Sequence, residues 1–151
     1  MTTRTLRMAA PLALSLPVSC GGGGEGAHSP LVLVEDAWVR PADAGMNSAI
    51  YLTLLNEGGE ADRLLGGETP AAVQLQIHQS RLDDGIMRMR QVEAVDLPRG
   101  QEVEMKPGGL HIMLVELKES LAEGGSITLL LRFQRSGTQT LQVPVQSGGD
   151  R

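Results

Sequence analysis

From Ser29 onward short apolar runs alternate with turn residues, and no long segment keeps a helical period. Residues 31–40 (LVLVEDAWVR) and 48–56 (SAIYLTLLN) predict strands, the second closed by EGGE at 57–60. In VQLQIHQS at 73–80, Val73, Leu75 and Ile77 alternate with Gln74, Gln76 and His78, so a strand here sends His78 to the polar face. DDG at 83–85 predicts a hairpin turn into IMRMRQV at 86–92, with Met87 and Met89 on one face and Arg88 and Arg90 on the other. LPRGQ at 97–101 is a further turn, EVEM places Val103 and Met105 toward a core, and KPGG at 106–109 breaks the chain again.

In LHIMLVEL, Leu110, Ile112 and Leu114 point one way while His111, Met113 and Val115 point the other. Residues 116–123 are expected to form one helical turn before Gly124 and Gly125. SITLLLRFQ at 126–134 and TQTLQVPVQ at 138–146 predict two last strands around RSGT, and Pro144 assigns the last one to an edge. Eight or so short strands at roughly ten-residue spacing define an all-β chain, an antiparallel β-sandwich or barrel. With three aromatics, Trp38, Tyr51 and Phe133, the core is mainly aliphatic, and Trp38 and Tyr51 are expected in it.

The first residues change the picture from fold to compartment. Residues 1–19 carry Arg4 and Arg7 without an acid, then an apolar stretch from Met8 to Val18 ending at Ser19, the pattern of a secretory signal. Cys20 and the glycine-rich residues up to 29 follow as a flexible tether. The arrangement resembles a bacterial lipoprotein signal, with Cys20 as the lipidated residue, although Pro17 stands where such signals carry leucine. The expected organisation is a signal at 1–19, a tether at 20–29, a β domain at 30–146 and a flexible tail at 147–151, in a periplasmic or otherwise extracytoplasmic location. Contact with a membrane is then expected only through the lipid anchor, since no apolar run reaches the roughly 20 residues of a membrane span.

Charge narrows the partners. The 13 basic and 18 acidic residues give a net charge of −5, and all the acids follow Cys20. Such a surface repels phosphate backbones, and no basic or aromatic cluster offers a nucleic-acid footprint. Catalysis finds no G-x-S-x-G elbow, no cysteine nucleophile in the domain and no histidine-rich zinc motif, and Asp83 and Asp84 beside Gly85 read as turn chemistry. The chain is not expected to be an enzyme.

What remains is a set of soft donors. His111 and Met113 share a strand face, and His78 and Met89 flank one hairpin that can bring them together. Two imidazoles and two thioethers suit a soft monovalent ion, copper(I) above all, whereas zinc sites recruit cysteine, histidine or carboxylate and calcium or magnesium sites recruit oxygen. Met87, Met46 and, for copper(II), His28 in the tether are candidate accessory ligands. A blue-copper electron-transfer site is excluded by inventory, because it needs a cysteine thiolate and Cys20 lies outside the domain.

The spacing of His78, Met89, His111 and Met113, H-x10-M-x21-H-x-M, resembles the copper motif of the periplasmic PCuAC-type chaperone family. AWVRPADAG at 37–45, SAIYLTLLNEG at 48–58, DRLLGGETP at 62–70, GIMRMRQV at 85–92 and KPGGLHIML at 106–114 extend the resemblance to roughly residues 31–146. Gln79 stands where many such sequences carry a methionine after the first histidine. The resemblance implies a cupredoxin-like β-barrel that holds one copper(I) and passes it to a copper-accepting subunit of a respiratory oxidase, or to another copper chaperone. A copper storage or resistance protein is the nearest alternative, and a metal-free structural β-sandwich lipoprotein a more distant one.

Overall fold

The alternating pattern resolves, in a computed structural model that describes residues 31–148, into strands alone, with no helix among the described residues. They are β1 (Val32–Val39), β2 (Ser48–Asn56), β3 (Asp62–Glu68), β4 (Ala72–Asp83), β5 (Ile86–Val92), β6 (Val95–Leu97), β7 (Glu102–Met105), β8 (Leu110–Leu117), β9 (Ser126–Phe133) and β10 (Thr138–Pro144). One sheet runs β1-β2-β8-β4-β5, with β7 also pairing β2; the other runs β10-β9-β3-β6. Every strand pair is antiparallel. The edge of β2 away from β1 is shared, because its first half pairs β8 through Ser48 to Ile50 and its second half pairs β7 through Leu52 to Leu55.

The two sheets meet across an aliphatic core. Ile50, Leu52, Leu54, Ile77, Ile112 and Leu114 face Leu64, Leu97, Leu129, Leu131, Phe133 and Val143, and all are buried. Burying a side chain of this size contributes roughly 1.5–3 kcal/mol, so this layer carries the stability without a disulfide. Met105 lies in it as expected. Tyr51 is buried as expected and Trp38 half-buried, but neither belongs to this inter-sheet layer. A register shift between Glu35 and Trp38, with Asp36 at φ 49°, adds a bulge to β1. It sets Trp38 opposite Tyr51 on the face of the larger sheet that is turned away from the smaller one.

Three further expectations meet corrections or additions. The helical turn at 116–123 does not form. Glu116 takes φ 57°, Leu117 bonds Met46 and Gly45, and Leu121 pairs Ala42 in both directions, so this backbone is satisfied by the 42–46 loop instead of by its own turn. Residues 62–68 and 95–97, unassigned in the sequence, are β3 and β6. Pro144 does sit on an edge strand, β10. Cys20, His28 and residues 149–151 lie outside the described residues. Ser147 and Gly148, the start of the expected tail, line a hollow with Trp38, and a side chain at Gly148 would come within 3.4 Å of the indole.

Candidate metal centre

The outer face of the larger sheet follows from the alternation that builds the core. With Ile77, Ile112 and Ile50 turned inward, their neighbours His78, His111, Met113, Ala49 and Tyr51 must turn outward. Register then places them. His78 stands directly opposite His111, Gln76 opposite Met113, Met113 opposite Ala49, and Met89 opposite Ser80. The β4–β5 turn fixes Met89 in that register. Asp84 and Gly85 both take positive φ, 51° and 77°, as a two-residue hairpin loop of the Asp-Gly kind requires.

A row of rings crosses the sheet. Trp38 and Tyr51 stand 4.7 Å apart between centroids, Tyr51 and His111 6.3 Å, and His111 and His78 5.8 Å. Small residues border it. Ser80, Ala49 and Gly108 leave a cleft of about 470 Å³ whose wall includes Met87, Met89, His111, Met113, Tyr51 and Arg40. Three of the four expected ligands thus share one cleft, and His78 is set back from its wall, reaching the group through His111. Of the accessory candidates, Met87 lines the cleft beside Met89, whereas Met46, 60% exposed, does not.

The hydrogen bonds of the two imidazoles decide which nitrogens are available. His111, only 4% exposed, places Nδ1 3.1 Å from the Gly109 carbonyl, which can only accept, so Nδ1 carries a hydrogen and Nε2 is the nitrogen left open to a metal. The same carbonyl accepts the Ser80 amide at 3.0 Å and ties the 106–109 turn to β4. His78 places Nε2 2.9 Å from Gln76 Oε1. Its Nδ1 is buried with no partner, the one such side-chain atom among the described residues. Burial, and after it the neighbouring His111, hold the His78 pKa below the ordinary imidazole range. The ring is therefore neutral at neutral pH and able to donate a lone pair.

The chemistry of the wall is soft. No carboxylate lines the cleft, and among the described residues no three His, Cys, Asp or Glu side chains gather as a metal site. A metal held here depends on imidazole and thioether, a donor set poorly suited to calcium or magnesium. An imidazole nitrogen binds about 2 Å from an ion, which puts each ring centre about 3 Å away and two rings on one ion roughly 5–6 Å apart. The 5.8 Å between His78 and His111 meets that requirement. Sequence reasoning missed Gln76 and Gly109. Gln76 was detectable in principle, since it lies two residues before His78 on the same strand face.

Comparison with known proteins agrees with this architecture. Residues 32–145 match the family described as "Putative lipoprotein LpqE-like", and the chain belongs to the LpqE-like family. The "Putative lipoprotein Lxx21020" of Leifsonia xyli subsp. xyli is 35% identical over 135 residues, covering 89% of this chain and 80% of that protein. An uncharacterized protein of Rickettsia prowazekii is 30% identical over 113 residues, 72% of this chain and 62% of its own length. Among solved structures, the "Copper-bound PCuAC domain from PmoF2" superposes with a TM-score of 0.66 at 24% identity, over 78% of this chain and 93% of that one. Apo-DR1885 from Deinococcus radiodurans gives 0.60 at 23% identity over 97% of each chain. The fold is that of PCuAC domains, a cupredoxin-like β-sandwich, as the sequence motif implied.

Proposed function

We propose that the protein is an extracytoplasmic copper(I)-binding chaperone, with no catalytic activity, that holds one ion through His78, Met89, His111 and Met113 and hands it to a copper-accepting protein. The observation that carries this reading is the facing histidine pair. Two rings stand at single-ion spacing, each with one nitrogen hydrogen-bonded and the other open to a metal, and the open nitrogen of His78 is buried without any other partner. Such an orphan costs about 1–3 kcal/mol, which a bound metal would offset. The sulfurs of Met89 and Met113 then complete a four-donor set whose neutral charge suits the reduced ion. Structures of the same fold are described as copper-bound, one as "CuI-DR1885", which supports the choice of metal.

Release also has a structural basis. Met89 is 58% and Met87 53% exposed, so a partner can approach the ion from the cleft by exchanging ligands in turn. Met87 is our candidate for a spare thioether in that exchange. The lipoprotein character of the family and of the Leifsonia relative supports anchoring at Cys20 on the outer side of a membrane, and respiratory oxidase copper centres are our proposed destination.

The test of binding is competition against a chromogenic copper(I) chelator. We expect one equivalent for the wild type, and at least about a tenfold loss of affinity, the effect typical even of second-sphere changes, for Met89→Leu and for His111→Ala. Unchanged affinity in both would remove the site. The destination is tested separately by deleting the gene. Low oxidase copper with normal copper tolerance supports delivery, whereas normal oxidase copper with lost tolerance would make this a storage or resistance protein.

A further inference from the structure

We propose that Gln76 is a positioning residue for the metal: its side-chain carbonyl locks His78 in the Nε2–H tautomer and so commits Nδ1 to the ion. The proposal rests on the reading of His78 as a copper ligand. On β4 the alternation places Gln74, Gln76 and His78 in one outward line. The Gln76 amide nitrogen donates to Gln74 Oε1 at 3.1 Å, which fixes the orientation of the Gln76 amide and turns its Oε1 toward His78. That oxygen lies 2.9 Å from His78 Nε2. A carbonyl oxygen can only accept, so Nε2 must carry the hydrogen, and a neutral ring then has none on Nδ1.

The two histidines are consequently set in opposite tautomers by different devices. His111 is held by a backbone carbonyl, Gly109, and offers Nε2; His78 is held by a side chain and offers Nδ1. Only the His78 half of this arrangement can be altered by changing a side chain.

The experiment compares the wild-type protein with Gln76→Leu and Gln76→Glu. Leucine removes the acceptor while keeping similar bulk, and glutamate keeps an acceptor at the same place. Long-range nitrogen–proton NMR of the metal-free protein should show His78 with Nε2–H in the wild type and in Gln76→Glu, and a mixture of tautomers in Gln76→Leu. Chelator competition should show copper(I) affinity about 10–100-fold weaker in Gln76→Leu and largely restored in Gln76→Glu. Combined with His78→Ala, Gln76→Leu should cost nothing further. Wild-type affinity in Gln76→Leu, no rescue by Gln76→Glu, or a wild-type His78 found as Nδ1–H would each overturn the proposal. If His78→Ala alone leaves copper affinity unchanged, the reading of the site fails and not merely the role of Gln76.

Discussion

His78 links the proposed metal site to the stability of the metal-free protein. From β8 it faces His111 and from β5 the uncharged Gln91, so no carboxylate opposite it in the sheet stabilises its protonated form. Its pKa is depressed, chiefly by burial and then by His111, while in the unfolded chain it returns to about 6.5. Between those two values the unfolded state binds more protons, so stability is complete above about pH 6.5 and falls with acidification until the folded ring itself titrates. We expect the thermal midpoint of the metal-free protein to hold from about pH 7.5 to 6.5 and to drop below that. His78→Gln should flatten this slope, and an unchanged slope would assign it to another group. Asp62 acts in a lower window. Burial works to raise its pKa, but the Ser136 hydroxyl and the amides of Arg63, Arg135 and Ser136 outweigh burial and leave it below the ordinary range. It is 3% exposed and pins the 135–137 turn to β3. Asp62→Ala should cost about 2–4 kcal/mol in urea unfolding, from several charge-assisted hydrogen bonds lost together, with copper(I) affinity unchanged.

At the scale of elements, what the sequence showed and what it concealed have the same cause. Strands that alternate strictly, such as residues 73–80 and 110–117, were legible because one face is core and the other is not, and that same alternation placed His78, His111 and Met113 on the outer face. β3 was hidden by Gly66 and Gly67, which look like a turn. In the structure Gly66 takes φ 133° within a register shift against β9, and a Cβ at Gly67 would lie 2.1 Å from the Leu130 carbonyl oxygen. The glycines are there for close strand approach, a three-dimensional demand with no local signature. The outward facing of Trp38 and Tyr51 was hidden for a related reason, since only the bulge in β1 and the pairing of β2 with β8 reveal that Tyr51 stands beside His111 with Trp38 behind it. Two glycine variants separate the two kinds of demand. Gly67→Ala must push β3 from β9 and should cost on the order of 3 kcal/mol or more of global stability. Gly85→Ala meets nothing within 4 Å and faces only its φ of 77°, so about 1–2 kcal/mol is expected. Hydrogen exchange should show that second loss confined to the overhanging β4–β5 hairpin, whose residues 81–91 are exposed.

For the whole molecule the proposed site would act as a clasp between distant parts of the chain. The residues proposed as ligands come from β4, β5 and β8, and the ring row continues through β2 to β1, so one ion held there would couple most of the larger sheet. A ligand that binds only the folded state stabilises it by RT ln(1 + [L]/Kd), about 2.7 kcal/mol when free copper(I) is a hundredfold above Kd. For a domain of this size that corresponds to a rise in thermal midpoint on the order of 10 °C. The chain carries its own reporter, because Trp38 is the single tryptophan and lies two ring contacts from His111. We expect Trp38 emission to change along one saturating curve that ends at one equivalent of copper(I), and the melting curve to shift over the same titration. His111→Ala should abolish both responses, while Tyr51→Leu should weaken the optical response by breaking the ring row and leave the thermal shift in place. A thermal shift that survives in His111→Ala would show that copper stabilises the protein from somewhere other than this face of the sheet.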